Sequence, residues 1–218
     1  MPERSSHRQN RYDVSGNPEA EYVDRSKRVL VNLKGMTTRI VLEHAEEEGL
    51  AKAYEQLLRE ARSDTPMTTE LLRYIHECAF GDLYAWAGRW RTVRISKPGA
   101  HWPPPDYLEE GMRQFERDVL RRYPASALRD DDGFCEAVAR IQGEFLSIHL
   151  FREGNARTIK LLTDLLAAQT DRPLLRYDMS KNGIIAYVEA AKAALNRGDC
   201  SLFGPIIQKA LKEGLKPL

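Results

Sequence analysis

A histidine, an acid, a Gly-Asn pair and two cations crowd into the stretch HLFREGNARTIK, from His149 to Lys160. An imidazole titrates near neutral pH, so His149 has the proton affinity of a general base. Glu153 is a hard carboxylate that can hold Mg2+ together with phosphate oxygens. Gly154 lets the backbone take positive φ or approach a ligand closely. Asn155 can cap a helix and tolerates unusual dihedrals. A helix that starts near Asn155 presents free N–H groups and a partial positive charge, which together bind phosphate. Arg157 and Lys160 then fall in its first turns, where the helix dipole disfavours cations. A bound polyphosphate would relieve that misfit. Base, carboxylate, N–H cradle and cations make a kit for attack on a phosphoanhydride.

Each residue also has a plain structural reading. A histidine at a helix end serves as a C-cap or dipole partner, and a first-turn Glu is favoured by the dipole. Arg157 and Lys160 could be solvated charges. Their joint occurrence in one short stretch is what points to a site.

The elements that must hold this stretch are helical. Phe134, Val138, Ile141, Phe145 and Ile148 are spaced by four, three, four and three, which predicts an amphipathic helix delivering His149 at its C-terminal end. Ile159, Leu161, Leu162, Leu165 and Leu166 predict a largely buried helix after the polar stretch. Leu42, Ala45, Leu50, Tyr54 and Leu57 can share one helical face from roughly 37 to 62. Thr68 or Thr69 can cap a helix running through Phe80, and another starts near Ser180 and runs to about Arg197, with more helix after Ser201. Between them, Arg91 to Ser96 alternates polar and apolar residues and reads as a short strand. The turn residues KPGAHWPPPDY follow it. The expected class is all-α, a helical bundle with one small β-hairpin.

Composition narrows the functional classes. The 218 residues are 42% hydrophobic and 30% charged, with a net charge of +1. That balance gives no electrostatic case for nucleic acid or an anionic membrane as main partner. No apolar run approaches the length of a membrane span, and MPERSSHRQNRYD lacks the apolar centre of a secretory signal. Cys78, Cys135 and Cys200 are scattered, which suggests a reducing cytosol.

The order of residues in HLFREGNARTIK resembles the signature of the Fic family, H-P-F-x-D/E-G-N-G-R-x-x-R. His149, Phe151, Glu153, Gly154, Asn155 and Arg157 match it. A second segment, FGDLYAWAGRWRTVRISKPGAHWPPPDYL from Phe80 to Leu108, is similar to the family's β-hairpin flap and its approach. NLKGMT, Asn32 to Thr37, resembles a weaker family stretch. The resemblance covers about residues 28 to 205 as a Fic domain. It leaves a polar arm at 1–27 and a helical tail at 206–218.

The resemblance implies a Fic-fold helical bundle that transfers AMP from Mg-ATP to a Ser, Thr or Tyr hydroxyl of a target protein. His149 would deprotonate that hydroxyl, and Glu153 would bind Mg2+. Gly154, Asn155 and Ala156 would form the anion hole, and Arg157 and Lys160 would hold phosphates. Tyr187 would line the nucleotide pocket. The flap segment Thr92, Val93, Arg94, Ile95 and Ser96 would dock the target by β-pairing. A bacterial cytosol is the expected location, and export to a host cell is compatible with it.

Three positions depart from the pattern: Leu150 for Pro, Ala156 for Gly and Lys160 for Arg. A Doc-like kinase using the γ-phosphate and a nucleotide-binding pseudoenzyme are the alternatives these departures motivate. The family's inhibitory helix has no good match, because Ser15 to Glu19 carries Pro18, and Glu213-Gly214 has Lys209 where Ser or Thr is required. Either a separate antitoxin-like protein supplies the inhibitory Glu, or this chain lacks that control.

Overall fold

The computed structural model describes residues 16–23 and 25–216. Most of the polar arm expected at 1–27, Ser15 included, lies outside the described residues. The order of elements is α1 (Arg39–Glu60), α2 (Thr69–Phe80), β1 (Ser96–Lys97), β2 (Ala100–His101), α3 (Leu108–Asp118), α4 (Asp131–Ile148), α5 (Asn155–Gln169), α6 (Lys181–Arg197) and α7 (Phe203–Gly214). Short 3-10 turns at Pro105–Tyr107, Leu120–Arg122 and Ala125–Ala127 flank α3. The fold is all-α with a small antiparallel hairpin.

The helix boundaries follow local chemistry. Thr68 caps α2 by accepting from the Leu71 N–H, Asp130 caps α4 through the Gly133 N–H, and Ser180 caps α6 through the Gly183 N–H. Gly198 closes α6 with a left-handed C-cap, φ 66°. Of the five residues expected to face inward from α1, Leu42 and Leu57 are buried, while Ala45, Leu50 and Tyr54 are partly buried against the core.

Helix α4 is the axis of the bundle. It packs on α5, α6 and α7, with α3 on another side. Its expected stripe is inside: Phe134, Val138, Ile141 and Phe145 are buried. Burying each such side chain stabilises the fold by about 1.5–3 kcal/mol. Helix α5 lies against α4, α2 and α1, so Ile159, Leu161, Leu162, Leu165 and Leu166 are buried together. The junction between these two central helices is the polar stretch. Helix α7 crosses the boundary expected at 205/206 and buries Phe203, Ile207, Ala210 and Leu211.

The hairpin is shorter and later than the expected strand. Only Ser96–Lys97 pairs, with Ala100–His101, around a Pro98-Gly99 turn in which Gly99 has φ 75°. Residues Thr92 to Ile95 stay outside the ladder, and the backbone groups of Thr92 and Val93 are used elsewhere. Glu19 takes the Thr92 N–H and Arg91 takes the Val93 carbonyl. Upstream, Tyr22 and Leu30 form an isolated antiparallel bridge, and Asn17 and Glu19 hold the 16–23 segment alongside this stretch through Thr92. Among the described residues, no helix is long and apolar enough to cross a membrane.

Candidate active site

His149 is the C-cap of α4. Its backbone is left-handed, φ 54° and ψ 61°, and its N–H still reaches the Phe145 carbonyl. This conformation is uncommon for a residue with a Cβ, and it turns the chain sharply off the helix. Three contacts hold it there. The Arg91 Nε donates to the His149 carbonyl at 2.7 Å. The Trp102 indole stacks on the imidazole at 4.0 Å and donates its own Nε1–H to the Leu146 carbonyl. Arg91 is itself buried, and it spends its other nitrogens on the carbonyls of Val93 and Pro103.

The His149 ring is kept unprotonated. Burial lowers its pKa to about 4, with Lys97 of the hairpin pushing the same way. Its Nδ1 is buried without a hydrogen-bond partner among the described residues.

The loop from Leu150 to Gly154 is pinned from below. Leu150 and Phe151 are fully buried, and the Leu150 carbonyl accepts from the Arg91 N–H. The Asn155 side chain is buried and reciprocal with Phe151: Oδ1 accepts the Phe151 N–H at 2.9 Å, and Nδ2 donates to the Phe151 carbonyl at 2.8 Å. Asn155 is therefore the first residue of α5 and a loop clamp, while Gly154 occupies the N-cap position expected for Asn155. His76 of α2 stacks on Phe151 at 3.8 Å. Its Nδ1 accepts the Gly88 N–H, so Nε2 carries the proton and donates to the Glu153 carbonyl at 3.0 Å. Burial holds His76 neutral, with a pKa of about 4.

Gly154 has φ 79°, and a Cβ there would meet the Phe80 ring at 2.5 Å. Only glycine fits. Because glycine has no side chain, α5 starts without the side-chain cap that α2, α4 and α6 have. Its N-terminus is an open set of N–H donors at the positive end of the dipole. Glu153 stands at that opening, with its carboxylate half exposed and Oε1 accepting the Gly154 N–H at 3.0 Å. Burial pushes its pKa up, but the Gly154 N–H, Arg157 and Lys97 outweigh it and hold the acid below its usual range. Ala156 has helical φ and is absent from the positive-φ positions, so its methyl carries no backbone strain.

The misfit of these cations at the helix start, which a bound polyphosphate would relieve, is already met in part from within the protein. Arg157 donates to Glu46 of α1 at 2.9 Å and lies over the Phe80 ring at 4.8 Å. Lys160 places its ammonium 4.1 Å from the Tyr177 ring and 4.3 Å from that of Tyr187. Burial lowers its pKa to about 8, while Asp164 opposes that shift. Ala156, Lys160, Tyr177 and Tyr187 line a mostly apolar cleft of about 570 Å³ with Met179 and Ile184. Tyr187 donates its hydroxyl to Gln142 and contributes its ring to the cleft. The structure thus gathers His149, Glu153, Gly154, Ala156, Arg157, Lys160 and Tyr187 around the start of α5.

The flap residues divide. Val93 is buried, and Thr92 is tied to Glu19, whereas Arg94 and Ser96 are exposed and Ile95 is half-buried. Glu19, at the end of the Ser15 to Glu19 stretch compared above with the inhibitory motif, gives its carboxylate to the Thr92 N–H. Glu213 pairs with Lys216.

Several residues of the site carry no local sequence signal. His76 and Glu46 sit in ordinary helical patterns, and Arg91 reads as a polar position of a strand. Arg152 fills an unspecified position of the signature. Their partners lie 77, 111, 58 and 133 residues away, so only the fold reveals them.

Comparison with known proteins agrees with this architecture. Residues 66–167 match the model of the Fic/DOC family. The protein adenylyltransferase VbhT of Bartonella schoenbuchensis is 28% identical over 211 residues, covering 93% of this chain and 41% of that protein. The probable protein adenylyltransferase y4lH of Sinorhizobium fredii is 32% identical over 111 residues, 48% of this chain and 57% of the relative. The chain therefore spans roughly two to three fifths of the curated relatives it matches. Among solved structures, BepC of Bartonella tribocorum with bound AMPPNP aligns with TM-score 0.71 at 16% identity, covering 89% of this chain and 97% of that one. The N-terminal Fic domain of a Bep effector of Bartonella sp. AR 15-3 aligns with TM-score 0.73 at 18% identity, covering 90% and 94%. The matched segment runs from the start of α2 nearly to the end of α5 and holds both His149 and the N-terminus of α5, so it is this central part of the chain that is similar to the Fic/DOC family.

Proposed function

We propose that this domain transfers AMP from Mg-ATP to a hydroxyl side chain of a target protein. One observation carries the reading: an imidazole held unprotonated by burial stands one short loop away from an uncapped helix N-terminus. The names of the adenylyltransferase relatives and of the AMPPNP-bound BepC support the choice of nucleotide.

In this reading the target hydroxyl oxygen attacks the α-phosphorus, and the bond to the bridging oxygen of pyrophosphate breaks. His149 takes the hydroxyl proton, and pyrophosphate leaves with the electron pair. The N–H groups at the start of α5 stabilise charge on the phosphate oxygens. Arg157, oriented by Glu46 and Phe80, and Lys160 hold the distal phosphates. The cleft beside Tyr187 takes the base.

No group of three or more His, Cys, Asp or Glu able to hold an ion occurs among the described residues. Glu153 is a lone, anionic, half-exposed carboxylate, which suits Mg2+ that arrives on phosphates. Such an ion neutralises developing charge on the leaving phosphates. Since Glu19 and Glu213 are engaged elsewhere, a Glu that inhibits Lys160 would come from a second protein. The target would dock on the flap, and the reaction serves equally in the bacterial cytosol or after export.

The test is incubation with ATP labelled at the α- or γ-phosphate and a bacterial or host lysate. Label from the α-phosphate on a protein, lost in His149→Ala, is the expected result. Label from the γ-phosphate instead would make the domain a kinase. Tight Mg-ATP binding without label transfer would make it a pseudoenzyme.

A further inference from the structure

A second cavity, of about 840 Å³, lies outside the nucleotide cleft, within the ~300–1,000 Å³ range of ligand sites. One wall is the flap from Thr92 to Lys97. The other is the segment around Glu19 and Tyr22, and Arg152 of the signature loop joins the two. Arg152 donates from Nε to the Glu19 carbonyl and from Nη2 to the Tyr22 hydroxyl, both at 2.6 Å. Asn17 and Glu19 reach across to Thr92, at 2.9 and 2.8 Å. The second wall is thereby fastened to the same loop that carries Glu153, and the groove opens beside the catalytic residues.

The charges lining the groove are unequal in availability. Glu19 is buried and gives its carboxylate to the Thr92 N–H, and Arg152 spends its guanidinium on the opposite wall. The Arg94 and Lys97 side chains are exposed and have neither an ion pair nor a hydrogen bond among the described residues. Asp106 is the lining acid without such a partner. The free charge of the flap wall is thus positive. Lys97 pairs with Ala100 in the hairpin, and Trp102 just beyond that hairpin stacks on the His149 ring at 4.0 Å, so an anion attracted to Lys97 lies near the reacting atoms.

We propose that this groove receives an extended segment of the target in which an acidic side chain stands within about two residues of the acceptor hydroxyl and pairs with Lys97 and Arg94. The flap backbone beyond Thr92 supplies sequence-neutral strand pairing, and the two cations supply the selection. This rests on reading the site as a transferase that acts on a protein hydroxyl.

Fluorescent peptides of equal length test it, each with one central Thr flanked either by Glu or by Lys. Binding to the whole chain is followed by anisotropy at low and high salt. The Glu-flanked peptide is expected to bind about tenfold tighter at low salt, with the difference shrinking as salt rises. The double variant R94E/K97E should reverse the preference, and R94Q/K97Q should erase it. Equal binding of both peptides, binding of neither, or a preference unchanged in R94E/K97E would overturn the proposal. So would a Lys97→Gln variant that weakens Mg-ATP binding and leaves the peptide preference intact. Transfer of α-label, measured in the same samples, separates the two readings. A peptide preference without transfer removes the transferase and keeps the groove. Transfer without preference removes the groove alone.

Discussion

The guanidinium of Arg157 meets the carboxylate of Glu46 at 2.9 Å, across 111 residues of sequence. Glu46 is buried on α1, and its second oxygen accepts the Tyr84 hydroxyl at 2.6 Å. The acid is thus fixed before it fixes the arginine, whose other face rests on Phe80. Glu46→Gln keeps the shape and the Tyr84 contact but removes the charge. The expected result is a rise of about tenfold in KM for Mg-ATP, with a smaller change in kcat, because a charged hydrogen bond that orients a binding group is lost. Steady-state kinetics and calorimetric titration of Mg-ATP check it. Unchanged affinity would show that Arg157 needs no such orientation.

Asn155 tests the loop rather than the chemistry. Asn155→Ala leaves the Phe151 N–H and carbonyl without their partners in a buried setting. The expected cost is about 2–6 kcal/mol in urea unfolding, at about 1–3 kcal/mol for each stranded group. Asn155→Asp keeps the acceptor and loses the donor, so it should fall between the variant and the native chain.

Two buried histidines make stability sensitive to acid. His149 and His76 have pKa values near 4 in the fold, against about 6.5 when unfolded. In that window the unfolded chain binds more protons, so stability rises with pH. It is complete above about pH 6.5 and lost as pH falls toward 4, with a limiting slope of about 1.4 kcal/mol per unit for each ring. The melting temperature should therefore drop between pH 7 and 5, and His76→Gln should flatten that slope. On the activity side, kcat/KM should show no acid limb from His149 above about pH 5. A limb near 6.5 would contradict a buried, neutral base.

Lys160 sets the alkaline side. Its pKa of about 8 means that the ammonium begins to lose its proton in mildly basic buffer. Affinity for Mg-ATP should fall above pH 8 in the native chain. Lys160→Arg should remove that limb, because a guanidinium stays charged. Titrations of Mg-ATP from pH 7 to 9.5 decide it, and a flat profile for the native chain would place Lys160 away from the phosphates.

Much of the scaffold was legible from spacing alone. The four-three repeat of α4 and the nearly continuous apolar run of α5 report burial directly, and Thr68 and Ser180 mark helix starts through the N–H groups they cap. The signature stretch also pointed to the junction between α4 and α5. What was hidden was the set of partners. A helix-dipole argument left Arg157 and Lys160 in need of an anion, yet Glu46 and the Tyr177–Tyr187 pair already accommodate them. Alternation at 91–96 suggested a strand, but Arg91 turns inward and Glu19 takes the Thr92 N–H, so pairing begins only at Ser96. Long-range side-chain bonds leave no local periodicity to read.

The three carbonyls gathered by Arg91 belong to His149, Val93 and Pro103. One side chain therefore ties together the end of α4 and both approaches to the hairpin. A flap exchanged between related proteins would keep its register against the base only if the arginine travelled with it. Lysine could not stand in, because a single ammonium cannot span the same fork. For anyone building chimeras to change target choice, the graft begins at residue 91 and ends no earlier than residue 103.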